Sequence, residues 1–419
     1  MWWDNAVVYQ IYPRSFQDSD GDGNGDLRGI EARLDHLTWL GVDALWLSPI
    51  YPSPLADMGY DVADYKDVDP VYGTLDHFDA LLAAAHERGL KLLMDLVPCH
   101  TSIEHPWFRD NPDWYIWSGT DGPANNWRAT FGGSAWSPDP YERGRGWYLH
   151  SFYPEQPDLD WRNPEVVAAM QDVLRFWLGR GVDGFRIDAI DRLVKDRELR
   201  DDPPASAPFA LPLGEEYGEL EHLYSTNSPD IHAALEAIRE AAGDKLLVGE
   251  VYLPAREVTP YLEYLDLAFA FELFHAPWDE QRLGQAIDAA SKVGQAAWVF
   301  SNHDFPRVAT RFGSENARAA AELLLSLPGT AFIYQGEEIG MVDGPGADPP
   351  IDRAGRDGAR HPMQWDASGG FTSGGAPWLP MVDPAERNVA DQRADPDSLL
   401  NHYRELIAQR KRRGAKGLD

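Results

Sequence analysis

The chain has a repeating rhythm of short apolar, β-rich runs and longer stretches with apolar residues at helical spacing. The runs are VVYQIYP (7–13), DALWLSP (43–49), LKLLMDLV (90–97), GFRID (184–188), KLLVGEV (245–251), LDLAFAFEL (265–273), AAWVFSN (296–302) and TAFIYQG (330–336). Between most of them lies an amphipathic stretch such as LDHFDALLAAAHERG (75–89), PEVVAAMQDVLRFWLGRG (164–181) or ARAAAELLLSL (317–327). Near-continuous apolar strands suit a parallel sheet buried on both faces, and the intervening helices supply its crossovers. Eight such strands predict an α/β fold of the closed (β/α)8 barrel type. A doubly wound open sheet is the alternative, but no GxGxxG follows the first run.

One connection breaks the rhythm. The stretch from Val97 to Pro164 is too long for a structureless loop, and it holds seven of the 16 tryptophans. It predicts an inserted, aromatic-rich subdomain at 101–164, carried by a barrel built from 1–100 and 165–413, with 414–419 as a polar tail. Most of its rings are expected in a small core, with one or two facing a ligand.

Composition removes several classes of function. The 419 residues carry 68 acidic and 37 basic side chains, a net charge of −31, which repels nucleic acid and anionic lipid. The single basic run, RKRRGAK (410–416), falls at the end of a helix, where cations offset the dipole, and is read as a solvated tail. Cys99 is the only cysteine, so no disulfide framework is expected. The start MWWDNAVVYQ has no basic and apolar leader pattern, and no apolar run reaches spanning length. A cytoplasmic protein without membrane contact is expected.

In a barrel of this kind the chemistry gathers at the C-terminal ends of the strands. Those ends carry Asp95 and His100, Arg186 and Asp188, Glu250, and His303 and Asp304. No lysine stands there for Schiff-base chemistry, and no His-x-His or HExxH offers a transition-metal site. Paired carboxylates without a metal suit glycoside hydrolysis, in which one is an ionised nucleophile and the other a protonated acid. Arg186 precedes Asp188 by two residues on a strand, so both side chains face one way and the arginine favours an ionised Asp188. Glu250 has no basic neighbour in sequence and follows the apolar LLVG, which suits the acid. Asp304 remains to hold sugar hydroxyls and steady a cationic transition state.

A second candidate site is DSDGDGNGDLRG (18–29). Asp18, Asp20, Asp22, Asn24 and Asp26 stand at the spacing of the first five oxygen donors of a calcium loop, with Gly23 at the turn. The position of the closing glutamate is Gly29, and no second copy or helix pair occurs. A metal site and an acidic turn both fit; a calcium sensor does not.

The motifs DLVPCH, GFRIDAIDR, VGEVY and FSNHDFPR resemble the four conserved segments of the α-amylase superfamily of glycoside hydrolases. QPDLD (156–160), GTAFIYQGEEIGM (329–341) and ARHPMQWD (359–366) are similar to the α-glucosidase and oligo-1,6-glucosidase branch, over nearly the whole chain. The resemblance implies a retaining, exo-acting enzyme for short α-glucosides. It implies Asp188 as nucleophile, Glu250 as acid/base and Asp304 as transition-state stabiliser. It also implies that Asp57, Tyr60, His100, Arg186, His303 and Arg360 surround the terminal glucose and that Phe152 lies beside the leaving-group sugar. Ala189 occupies a position that borders that subsite, where members with alanine favour α-1,4 over α-1,6 bonds. The Asp-rich loop is implied to hold a structural Ca2+ through Asp18, Asp20, Asp22, Asp26 and a carbonyl at Asn24. The sequence departs from the branch at Cys99 and Asp160, each in place of Asn, and by lacking a C-terminal β-sandwich after LLNHYRELIAQRKRR. Transglucosidases, trehalose synthases and sucrose-active enzymes share this machinery and form the alternative.

Overall fold

The computed structural model describes residues 1–206 and 216–414; the segment 207–215 of the expected barrel and 415–419 of the expected tail lie outside the described residues. Eight parallel strands close into a barrel: β1 (Val7–Ile11), β2 (Ala44–Leu47), β3 (Lys91–Leu96), β6 (Gly184–Ile187), β7 (Leu246–Gly249), β8 (Leu267–Phe269), β9 (Ala296–Trp298) and β10 (Thr330–Tyr334). β10 pairs with β1, and the β3–β6 pairing spans the insertion. Each strand falls within one of the eight apolar runs.

The two faces of the strands build two cores. Val8, Ala44, Trp46, Leu93, Val248, Phe269 and Phe332 point inward and fill the barrel. Val7, Tyr9 and Ile11 alternate with them and pack against the helices, as period-2 side-chain alternation requires. The helix Pro164–Arg180 shows how local signals set the boundaries. Asn163 caps it by accepting from Glu165 N–H, Pro164 opens it, and Gly181 ends it at φ 107°, a left-handed conformation that glycine adopts at little cost.

The insertion after β3 contains a short hairpin, β4 (Trp136–Pro138) and β5 (Trp147–Leu149). Trp127, Ala135, Trp136 and Leu149 form its own core. It does not stand alone: the Trp127 indole donates to Arg200 O at 2.9 Å, and Asn126 is bonded to Asp201 and Asp202. The loop after β6 therefore packs on it. Among the described residues no helix is long and apolar enough to cross a membrane.

The basic C-terminal run departs from expectation. The helix Leu399–Gly414 lies along the barrel, and Arg410 is buried in it rather than solvated. Its guanidinium donates to Asn5 O (3.2 Å), Leu325 O (3.0 Å), Leu327 O (2.5 Å) and Gly329 O. Lys411 pairs with Asp43 at 2.7 Å and Arg413 donates to Leu325 O at 3.0 Å. A fork of fixed donors thus satisfies backbone carbonyls from two separate stretches of chain, of which Leu325 O is shared with Arg413. Arg410→Met is expected to lower stability by roughly 2–4 kcal/mol by removing these buried donors, measured as the shift in a urea unfolding midpoint. Arg412→Met, on the same helix, is expected to change it by less than about 0.5 kcal/mol.

Candidate active site

Arg186 organises the rim. Its Nη1 donates to Asp95 Oδ1 at 2.8 Å and Asp188 Oδ1 at 2.7 Å, and its Nη2 lies 2.7 Å from Glu250 Oε2. Strand geometry explains this: β3, β6 and β7 are neighbours in the barrel, with Asp95 in register with Arg186. A basic neighbour therefore does not distinguish Asp188 from Glu250, because one guanidinium holds both. Asp95 also accepts from the Trp46 indole at 3.2 Å and Tyr60 OH at 3.0 Å.

Burial dominates the proton balance. It raises the Glu250 carboxyl to about 8, opposed by Arg186 and helped by the nearby charges of Asp188 and Asp304. Burial also raises Asp188 to about 7 despite Arg186, with Asp95 adding to the rise and hydrogen bonding with Glu250 acting against it. Glu250 Oε2 additionally accepts Ala189 N–H at 3.1 Å. Ala189 itself sits in the left-handed region, φ 42° and ψ 43°, which a β-branched residue tolerates poorly.

Asp304 is handled differently. Burial favours its neutral form, but the adjoining His303 together with Arg356, Arg360 and Arg186 outweighs burial and holds it well below the usual carboxylate range. Its Oδ1 lies 2.9 Å from Arg356 Nη1 and 3.0 Å from Arg360 Nη2. His303, pushed down to about 3 chiefly by burial, is neutral; it lies 2.8 Å from Gln10 Nε2 through Nδ1 and stacks on Tyr60 at 5.3 Å.

These groups meet at a concave pocket, part of it open to solvent. Asp57, Tyr60, His100, Phe152, Asp188, Ala189, Glu250 and Asp304 all line it. Arg186, His303 and Arg360 do not; they lie almost fully buried behind the lining and hold its carboxylates. None of the seven tryptophans of the insertion lines the pocket. From the insertion, Phe131 and Phe152 supply the aromatic lining, and the indoles are structural.

Two contributors were not anticipated. Arg356 bridges Asp57 (2.5 Å), Asp304 (2.9 Å) and Asp352 (2.8 Å). Its signal was the run DRAGRDGAR, with Asp352 and Arg360 each four residues away. Gln156, the first residue of QPDLD, donates to Asp57 Oδ2 at 2.9 Å and sits 2.9 Å from His100 Nε2. Of the two departures, Cys99 is buried with its thiol directed at Arg192 O at 3.6 Å, and Asp160 caps Arg162 N–H at 3.0 Å.

The acidic loop brings together fewer groups than its spacing suggested. Asp18, Asp20 and Asp22 each offer a carboxylate oxygen within 4.8 Å of the others. Asp26 is turned away: it caps the helix Leu27–Leu40 through Gly29 N–H and accepts from Ser19. The Asn24 side-chain oxygen is taken by Arg14 Nε at 2.8 Å. The loop is strapped to 371–378, with Asp18 N–H donating to Phe371 O, Gly375 N–H to Gly21 O and Trp378 N–H to Gly23 O. A Cβ on Gly23 would stand 2.2 Å from Ala376 O, so that approach requires glycine. Three convergent hard oxygens fit a calcium ion, with water completing its shell.

Comparison with known proteins places these features in a family. The model described as "Alpha amylase, catalytic domain" matches residues 10–416. A probable alpha-glucosidase of Rhizobium meliloti (strain 1021) is 44% identical over 98% of this chain and 82% of its own length. An oligo-1,6-glucosidase of Parageobacillus thermoglucosidasius is 41% identical over 98% and 84%. The crystal structure of the alpha-glucosyl transfer enzyme XgtA superposes with a TM-score of 0.92 at 39% identity, covering 98% of this chain and 84% of that one.

We propose that Asp18, Asp20 and Asp22 hold a structural calcium ion. The melting temperature should rise with the logarithm of free calcium, as binding to the folded state alone requires. Asp20→Ala with Asp22→Ala should abolish that dependence and leave Asp188 and Glu250 in place. A melting curve indifferent to calcium and to chelator in the native protein counts against the site.

Proposed function

Because the chain belongs to the alpha-amylase family of glycoside hydrolases, we propose that it is an exo-acting α-glucosidase that cleaves short α-glucosides with retention and prefers α-1,4 bonds. The observation that carries this reading is the single guanidinium that holds Asp188 and Glu250 together at the pocket wall. Two carboxyl groups so close leave no room for a water between them and the sugar, as inversion needs. Asp188, once ionised, attacks the anomeric carbon, and Glu250 gives its proton to the departing oxygen. Water then attacks the glucosyl ester, returns its proton to Glu250 and frees Asp188. Asp304, kept ionised by arginines, faces the developing positive charge.

The exo preference is supported by the wall on the glucose side. Arg356 ties Asp57 to Asp304, and Arg353 pairs with Glu155 at 2.9 Å, closing the loop 352–360 against the insertion. A second reading, glucosyl transfer to a sugar, is favoured by the likeness to XgtA. It uses the same covalent step and differs only in what attacks the ester.

Asp188→Asn and Glu250→Gln should each lower turnover by roughly 10³-fold or more without shifting the melting temperature downward. For the native enzyme kcat/KM should be bell-shaped in pH, rising as the pair loses its first proton near 7 and falling as Glu250 loses its own near 8. Residual turnover of an activated aryl glucoside by Glu250→Gln should lose the alkaline fall. If that fall persists, Glu250 is not the acid.

Linkage preference is tested at Ala189. Maltose should be preferred over isomaltose, and Ala189→Val should move the ratio toward isomaltose by about tenfold, the worth of one or two methyl contacts. Valine at φ 42° also strains the turn, so melting temperature is measured alongside. Ala189→Gly relieves the strain without filling space and should keep the ratio on the maltose side. A native preference for isomaltose would reverse the assignment.

A further inference from the structure

Four arginines bear on the pocket, and their company differs: Arg360 touches Asp304 and Asp352. Arg186 and Arg356 each touch three carboxylates. Arg192, which lines the pocket and is 7% exposed, touches none: among the described residues no carboxylate oxygen lies within 4.0 Å of its nitrogens. Its Nη2 donates to Tyr217 OH at 2.7 Å. The guanidinium is held between Phe152 and Tyr217, 5.2 and 5.1 Å from their ring centroids. The adjacent carboxylate, Asp191, directs Oδ1 at Tyr252 N–H (3.2 Å). Asp191 acts on the guanidinium only through space, so among the described residues the buried fork has no carboxylate in direct contact, and a planar fork of donors matches carboxylate and phosphate.

Its position identifies which part of a substrate it meets. Arg192 closes the 3-10 turn Ile190–Arg192, which follows Ala189, whose N–H touches Glu250. The guanidinium is therefore on the side of the acid, where the leaving group departs. The glucose side is occupied by Asp57, Arg356 and Asp304. Each of the other pocket acids in this group already has a guanidinium in contact: Asp57 and Asp304 that of Arg356, and Asp188 and Glu250 that of Arg186.

Resting on the α-glucosidase reading, we propose that Arg192 makes the leaving-group subsite a recognition point for an anion, so that the favoured substrates are α-glucosides whose leaving group bears a carboxylate or a phosphate. The rings of Phe152 and Tyr217 fix the guanidinium plane, so little freedom is lost when the anion docks.

The test uses matched pairs: 2-O-α-glucosylglycerate against 2-O-α-glucosylglycerol for a carboxylate, and maltose phosphorylated at O6 of its reducing sugar against maltose for a phosphate. The quantity read is the ratio of kcat/KM, anionic over neutral, within each pair. In the native enzyme at least one ratio should exceed about tenfold, the yield of a charge-assisted hydrogen bond, and should fall with added salt. Which pair shows it separates carboxylate from phosphate. Arg192→Gln should bring that ratio to one or below, and Arg192→Lys, which keeps the charge without the fork, should retain part of it. Native ratios at or below one in both pairs overturn the proposal, as does an Arg192→Gln enzyme that keeps the native ratio. A neutral sugar held through its hydroxyls would show as an equal loss for both members of a pair. Hydrolysis of maltose by the native enzyme is scored separately, because its absence would defeat the α-glucosidase reading and not this one.

Discussion

The rim of this barrel depends on one side chain that never reaches the pocket surface. Arg186 is 1% exposed and touches Asp95, Asp188 and Glu250. Removing three carboxylates from water would cost several kcal/mol each without a counter-charge. Placing them on one planar fork offsets much of that cost and fixes their mutual distances. It leaves them short of full compensation, since one cation faces three acids. That shortfall is why burial raises all three, Asp95 to about 6, Asp188 to about 7 and Glu250 to about 8, while Asp304, in contact with two arginines, stays ionised. A lysine at 186 would supply the charge but not the fork, and the carboxylates would lose their spacing.

Outside that centre, the loops are held by the same economy of donors. Arg356 joins three separate loops through Asp57, Asp304 and Asp352, and Gln156 adds the insertion to the group through Asp57. The Asp-rich loop and the segment 371–378 are joined by backbone hydrogen bonds and by the Asp18 carboxylate with the Thr372 side chain. The pocket is therefore walled by loops from distant parts of the chain, each fixed by a contact of high sequence separation.

The barrel was legible because its signal is local and repeated: eight apolar runs became eight strands, trimmed at their ends where side chains begin to cap helices or line the pocket. The catalytic carboxylates were legible because strand ends mark the rim. What one strand cannot reveal is what its neighbour contributes. Two-residue parity correctly put Arg186 beside Asp188, but the contact with Glu250 comes from the adjoining strand and is invisible along the chain. Asp26 has the spacing of a metal ligand and also the position of a helix cap, and the cap prevails because unsatisfied N–H groups lie within reach. Arg410 reads as one of a basic run, yet the carbonyls of Asn5 and of the turn that leads into the last strand take it in. Tryptophan density signalled a core rather than a ligand platform.

Ala189 adds a directional consequence. Glu250 Oε2 receives two donors, the Arg186 guanidinium and the Ala189 amide. An oxygen that accepts two hydrogen bonds is a poor place for a proton, so neutral Glu250 carries its hydrogen on Oε1. The left-handed turn at residue 189 thus does more than end a strand. It makes the carboxyl group asymmetric, with one oxygen anchored to the scaffold and the other free to give and retake a proton from a single side.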